Sequence, residues 1–126
     1  MRLACIDIGL KRIGIAICMQ SNIVTPQKAI LRKNRNQASN DVNNFLKEWQ
    51  IEKLIVGYPS ASLDMQKRIK HFVNLLELNI PYELQEENMS SIEAEDLIKG
   101  EIKYKRDGRI DSIAAKIILE RYLSKK

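Results

Sequence analysis

The feature of this chain that most restricts its fold is a change in hydrophobic period partway along it. Up to about residue 31 the apolar residues come as short, β-branched runs; beyond it, stripes at helical spacing alternate with such runs. Leu3–Ile8 is a run ended by Gly9, and Ile13–Cys18 follows after the polar turn Leu10-Lys11-Arg12, so two strands joined by a tight turn are expected. Ile23–Leu31 supplies a third, which Pro26 restricts to an edge, a bulge or a late start. Ala38, Val42, Phe45, Leu46 and Trp49 then form one helical stripe, and Met65, Ile69, Phe72, Val73 and Leu76 form another. Between and after them lie the buried-strand run Leu54–Gly57 and an extended segment from Pro81 to Glu86. Ser90 and Glu93 have capping-box spacing, which predicts a helix stopping near Gly100. Ile110, Ile113, Ala114, Ile117 and Ile118 mark a last helix running toward Tyr122. Three strands followed by helix, strand, helix, strand, helix and helix predict an α/β fold: one mixed sheet with helices on its faces. The 126 residues are expected to form a single domain spanning 1–126. The Asn- and Gln-rich stretch 32–44 and Ser60-Ala61-Ser62 are expected to be mobile loops.

No apolar run approaches the ~20 residues a membrane span requires, and Asp7 interrupts the apolar core a secretory signal would need. A cytoplasmic protein with no membrane partner is expected. Cys5 and Cys18 fall in separate strand runs without neighbouring ligand residues and read as buried thiols. The net charge of +5 favours a polyanionic partner. That charge is uneven: Lys28, Arg32, Lys33 and Arg35 lie together without an acid, and 99–109 carries five basic residues against Glu101 and Asp107. A basic run by itself is equally a solvated loop face.

Three carboxylate positions carry the chemical argument. Asp7 ends an apolar strand, where a charge needs a cation, a metal or several N–H donors; the plainer reading is an aspartate bonded into its own turn. Glu86 and Glu87 end a strand just before a helix, in the region where α/β sheets gather ligands, though acids there also simply favour a helix N-terminus. Strand alternation sends this pair to opposite faces, so one of the two belongs with Asp7. Asp111 falls in the first turn of the last helix, where an aspartate is commonly a cap, while Ala114 and Ala115 allow that helix close to the sheet. Together the three offer hard oxygen donors suited to Mg2+ or Mn2+, without His or Cys competition. Metal-assisted phosphoryl chemistry is the natural hypothesis, with one or two ions. His71, the single histidine, reads as a surface or boundary residue.

These residues resemble a known family along nearly the whole chain. Asp7-Ile8-Gly9-Leu10-Lys11-Arg12-Ile13-Gly14 is similar to the opening Asp-x-Gly-x-x-Arg-x-Gly signature of the YqgF family of pre-16S rRNA nucleases and Holliday-junction-resolvase-like proteins. Ile55-Val56-Gly57-Tyr58-Pro59 resembles its central strand ending in Gly-x-Pro. Glu86-Glu87-Asn88-Met89-Ser90-Ser91 and Asp111-Ser112-Ile113-Ala114-Ala115 resemble its two later acidic motifs. The resemblance implies a ribonuclease H-like fold with a mixed five-stranded sheet and helices on both faces. It also implies a nuclease maturing the 5′ end of small-subunit ribosomal RNA, with Asp7, Glu87 and Asp111 as catalytic and metal-binding residues. Glu86 is the second-choice carboxylate. The chain departs from the family pattern at Glu86 for Asp, at Asn88 for Arg, and in a shorter segment after Pro59 without a Gly-rich turn, departures that bear on substrate contacts more than on metal binding. Lys33, Arg35, Lys105 and Arg106 from the two basic stretches, with Lys11 and Arg12 of the opening motif, are expected to bind nucleic acid. Precursor ribosomal RNA ranks ahead of branched DNA as substrate; a junction resolvase would act as a symmetric dimer, an RNA-processing enzyme as a monomer or weak homodimer. A non-catalytic nucleic-acid-binding module is the remaining alternative. An actin-like phosphotransferase, suggested by Asp-x-Gly alone, needs two such domains, and the chain has length for one.

Overall fold

The computed structural model describes residues 1–20, 22–60, 62–86 and 109–125, with backbone alone for 109–111. Strands β1 (Leu3–Ile8), β2 (Arg12–Cys18) and β3 (Val24–Leu31) come first. Helix α1 (Arg35–Glu48), strand β4 (Lys53–Tyr58), helix α2 (Leu63–Leu76), strand β5 (Tyr82–Glu86) and helix α3 (Arg109–Ser124) follow. The strand order is β3-β2-β1-β4-β5. β2 is antiparallel to both its neighbours, and β1, β4 and β5 run parallel. The expected mixed five-stranded sheet is therefore present. Pro26 lies in the edge strand β3, whose register slips just beyond it, between Gln27 and Ile30: Ile13 pairs with Ile30 but Ile15 with Gln27.

Pleating divides the sheet into two faces with separate cores. Ala4, Ile6 and Ile8 point to the side covered by α1 and α2, packing with Val42, Leu46, Ile69 and Phe72. Leu3 and Cys5 point to the other side, against Ala115, Ile118, Leu119 and Tyr122 of α3. All six residues of β1 are buried because both its faces are covered, which explains the continuous apolar run rather than an alternating one. Cys5 and Cys18 are buried and form no disulfide, as expected.

One expectation about loops is corrected. The stretch 32–44 is not a loop, because helix α1 begins at Arg35. Asn34 caps it by accepting from Gln37 N–H at 2.8 Å, and the Gln37 side chain accepts from Asn34 N–H, so the polar residues build a capping box. Ser62, in the connection between β4 and α2, is the N-cap of α2, accepting from Met65 N–H at 3.3 Å. The helix expected from Ser90 to Gly100 lies outside the described residues.

The close approach of α3 to the sheet rests on Ala114 and Ala115, both with no exposed surface. Replacing Ala115 with Leu should force the helix outward and cost about 1–3 kcal/mol, whereas Leu at the exposed Glu120 should change stability by no more than about 0.5 kcal/mol. Urea denaturation of the two variants beside wild type checks this; equal stabilities would mean that α3 is not closely packed.

Candidate active site

The sheet order creates a topological switch between β1 and β4, since the chain moves outward to β2 and β3 from one side and to β5 from the other. The carboxyl ends of β1, β4 and β5 open at the same end of the sheet, where α/β folds place ligands. Asp7 stands there, next to last in β1, with only 8% of its surface exposed. A carboxylate so far removed from water requires favourable partners to stay charged.

Parity fixes which way it faces. Asp7 shares the α3 side with Leu3 and Cys5. Its partner in β2 is Gly14, and on the other side Gly57 follows Val56, the partner of Ile6. Neither adjacent strand therefore sets a side chain beside the carboxylate on its own face. Gly9 closes the turn beyond it, donating to Arg12 C=O at 2.9 Å; a Cβ there would lie 2.7 Å from that oxygen, so only glycine fits.

On the same side, α3 is anchored where it begins. Buried Ser112 accepts at Oγ from Ile15 N–H of β2 at 3.3 Å. Asp111, immediately before it, is the third residue of α3, so the first-turn expectation agrees with the backbone. Glu86 is the last residue of β5, exposed, and pairs with Tyr58. Counting register across β4, Glu86 has the parity of Val56 and Ile6, on the α1–α2 side and opposite to Asp7. Glu87, Lys105 and Arg106 lie outside the described residues.

The other expected contact residues spread around this end of the sheet. Lys11 is exposed, and its carbonyl accepts from Arg32 N–H at 2.8 Å; Arg12 begins β2 and is half-buried. Lys33 and Arg35 are exposed beside the α1 cap. His71 is at the surface, as expected. Arg35 Nη1 lies 3.2 Å from His71 Nε2, and because a guanidinium only donates, that ring nitrogen accepts. Arg32 is held more firmly, with Nη1 donating to Gly9 C=O at 2.7 Å and its guanidinium 5.4 Å above the Phe72 ring. Burial, then the nearby Arg35 and Arg68, lower its pKa from the ordinary arginine value. Sequence reading grouped Arg32 with its neighbours but gave no role to Lys67 or Arg68. Those two join the basic cluster only because α2 packs beside α1.

Residues 1–125 match a family described as "RuvX: Holliday junction resolvase". The chain belongs to the RuvX family. It is 62% identical over 127 residues to a protein of Sulfurovum sp. (strain NBC37-1) named "Putative pre-16S rRNA nuclease", covering 98% of this chain and 99% of that one. A protein of the same name from Sulfurimonas denitrificans is 50% identical, covering 100% and 99%. Among solved structures, RuvC of T. thermophilus in complex with a Holliday junction substrate superposes with a TM-score of 0.65 at 10% identity, covering 99% of this chain and 95% of that one. The fowlpox virus resolvase with its Holliday junction DNA gives 0.61 at 15% identity, covering 99% and 97%. These likenesses establish the ribonuclease H-like fold for this RuvX chain.

Ser112 is the direct polar tie between α3 and the strand beside Asp7. Ser112→Ala should lower stability by about 1–3 kcal/mol by leaving the buried Ile15 N–H without its acceptor. Equilibrium unfolding measures it, and amide exchange at Ile15 should accelerate; an unchanged exchange rate would remove Ser112 from this role.

Proposed function

We propose that residues 1–126 form a single nuclease domain that hydrolyses nucleic-acid phosphodiesters with Mg2+ or Mn2+, in 5′-end processing of precursor 16S ribosomal RNA. The observation carrying this reading is the buried Asp7 at the switch point, with the start of α3 anchored on the same face. The donor chemistry fits a hard cation: an aspartate flanked on its face by glycines, with no His or Cys at that strand end. Asp7, Glu87 and Asp111 are the proposed ligands and catalytic residues. Among the described residues no three potential ligands converge; Glu87 and the Asp111 side chain are not among them. Glu86 is set aside because it faces away from Asp7.

When bound, divalent ions in such a site lower the pKa of water and stabilise the leaving oxygen. The protein's part is to hold oxygen donors in place. Asp7 is suited to this by its position in a strand paired on both sides, which fixes the backbone that carries its carboxylate. Lys11, Arg12, Lys33, Arg35, Lys105 and Arg106 are proposed to contact the nucleic-acid backbone, placing the scissile bond. The names of the Sulfurovum and Sulfurimonas relatives favour a precursor rRNA substrate. The family's description favours a second reading, resolution of branched DNA. A cytoplasmic monomer or weak homodimer accords with the first. Among the described residues no helix is long and apolar enough to cross a membrane.

Purified protein should cut precursor 16S rRNA in Mg2+ or Mn2+ and not in EDTA. Asp7→Asn and Asp111→Asn should each lower the rate by at least about 100-fold, the scale expected for losing a group that stabilises transition-state charge, with Tm kept. Glu87→Gln should do the same and Glu86→Gln should not. Wild-type rates in Asp7→Asn would defeat the proposed centre, and faster cutting of a four-way DNA junction than of rRNA would establish the second reading.

A further inference from the structure

Between α1, α2 and the β1–β2 turn lies an open pocket of about 500 Å3 whose lining includes Arg32, Arg35, Lys67, Arg68 and His71 over an apolar floor at Phe72. Four cations surround one space, and among the described residues no carboxylate lines it. Among the described residues none of the four pairs with an acid, while Lys53 does pair with Glu83 elsewhere on the protein. Like charges gathered without counter-charge are unfavourable; burial first, and then Arg35 and Arg68 across the pocket, lower the pKa of Arg32.

The cluster is also built rather than incidental. Arg32 is fixed at two points, by its backbone N–H to Lys11 C=O and by its guanidinium to Gly9 C=O, and it lies over Phe72, which is only 2% exposed. Arg35 leans on His71, joining the first turn of α1 to α2. The remaining guanidinium hydrogens of Arg32 and the exposed heads of Lys67 and Arg68 are available to an acceptor. An arginine fork with flanking cations matches the oxygens of a phosphate group.

We infer that this pocket holds a backbone phosphate of the bound nucleic-acid strand, a few nucleotides from the bond cut near Asp7. The inference rests on the nucleic-acid substrate proposed above. Gly9, which Arg32 grips, is two residues from Asp7, so its backbone lies within about 7 Å of that of Asp7. The β1–β2 turn is thus the partition between the cation pocket and the carboxylate. A strand crossing that turn meets both, and its register relative to Asp7 is set by where the phosphate seats.

The test measures binding in EDTA, where cleavage plays no part, so it stands or falls separately from the proposed nuclease activity. A fluorescent single-stranded RNA is titrated by anisotropy over a range of salt with wild type, with Lys67→Gln/Arg68→Gln, and with Arg35→Gln as a second variant on the other helix. All three substituted residues are exposed, and circular dichroism confirms folding. The double variant should bind at least about 10-fold more weakly, and its log–log salt slope should be shallower by about 1.4, two single-strand contacts at about 0.7 each. Arg35→Gln should lose about 0.7. Removing the same number of charges outside the pocket, by Lys28→Gln/Lys47→Gln, should flatten the slope less. An unchanged slope in the pocket variants, or an equal loss in the outside control, overturns the inference. So does a pocket that only takes free anion, seen as stabilisation of wild type but not of the double variant by inorganic phosphate, with RNA affinity equal in both.

Discussion

The position of β1, antiparallel to β2 on one side and parallel to β4 on the other, is the constraint from which the rest of the architecture follows. A parallel partner requires a crossover, which α1 supplies, and a second crossover through α2 adds β5. Both these helices settle on one face. The opposite face is closed by α3, the last described helix, returning across β1, β2 and β3. A strand covered on both sides has no solvent face for a charge, so the polar residue it carries is confined to its end. Asp7 is at that end, and its parity assigns it to the α3 side.

Separate coverage of the two faces also separates two chemistries. The α3 side has the acidic residue with glycines beside it; the α1–α2 side has the clustered cations, which pair with no acid among the described residues. The turn from Gly9 to Arg12 is shared by both, gripped by Arg32 through backbone carbonyls. Backbone attachment makes this arrangement indifferent to the side chains of Leu10 and Lys11, while Gly9 cannot vary, because a Cβ would meet Arg12 C=O at 2.7 Å.

Much of this was legible in the sequence because hydrophobic period is a local property. The runs ending at Ile8 and Cys18 and the stripes through Val42 and Ile69 need no tertiary information, and Pro26 restricted β3 to an edge, a bulge or a late start, of which the edge is observed. The first turn of α1 was missed because Asn and Gln are weak evidence for helix interior, yet Asn34 and Gln37 are strong cap residues once the backbone between them is helical. At the candidate site, the strand-end place of Asp7 was legible from the apolar run before it, and alternation set Glu86 and Glu87 on opposite faces, but which way Glu86 faces relative to Asp7 needed the register across β4. The gathering of Arg32, Lys67 and Arg68 was not legible, since it depends on two helices lying side by side, which no local pattern encodes.

Pro26 sits in a strand with no described neighbour on its outer side. An open strand normally offers an alternating row of donors and acceptors on which another chain can lengthen the sheet. Here proline interrupts the donor row, the register slip bends the strand beside it, and exposed Lys28 adds a charge that an incoming strand would have to desolvate. Growth of the sheet by a second copy is thereby discouraged at β3. Association of copies through this border would need contacts other than continued strand pairing, and the chain gains protection against fibrillar aggregation along a run that is otherwise rich in β-forming residues.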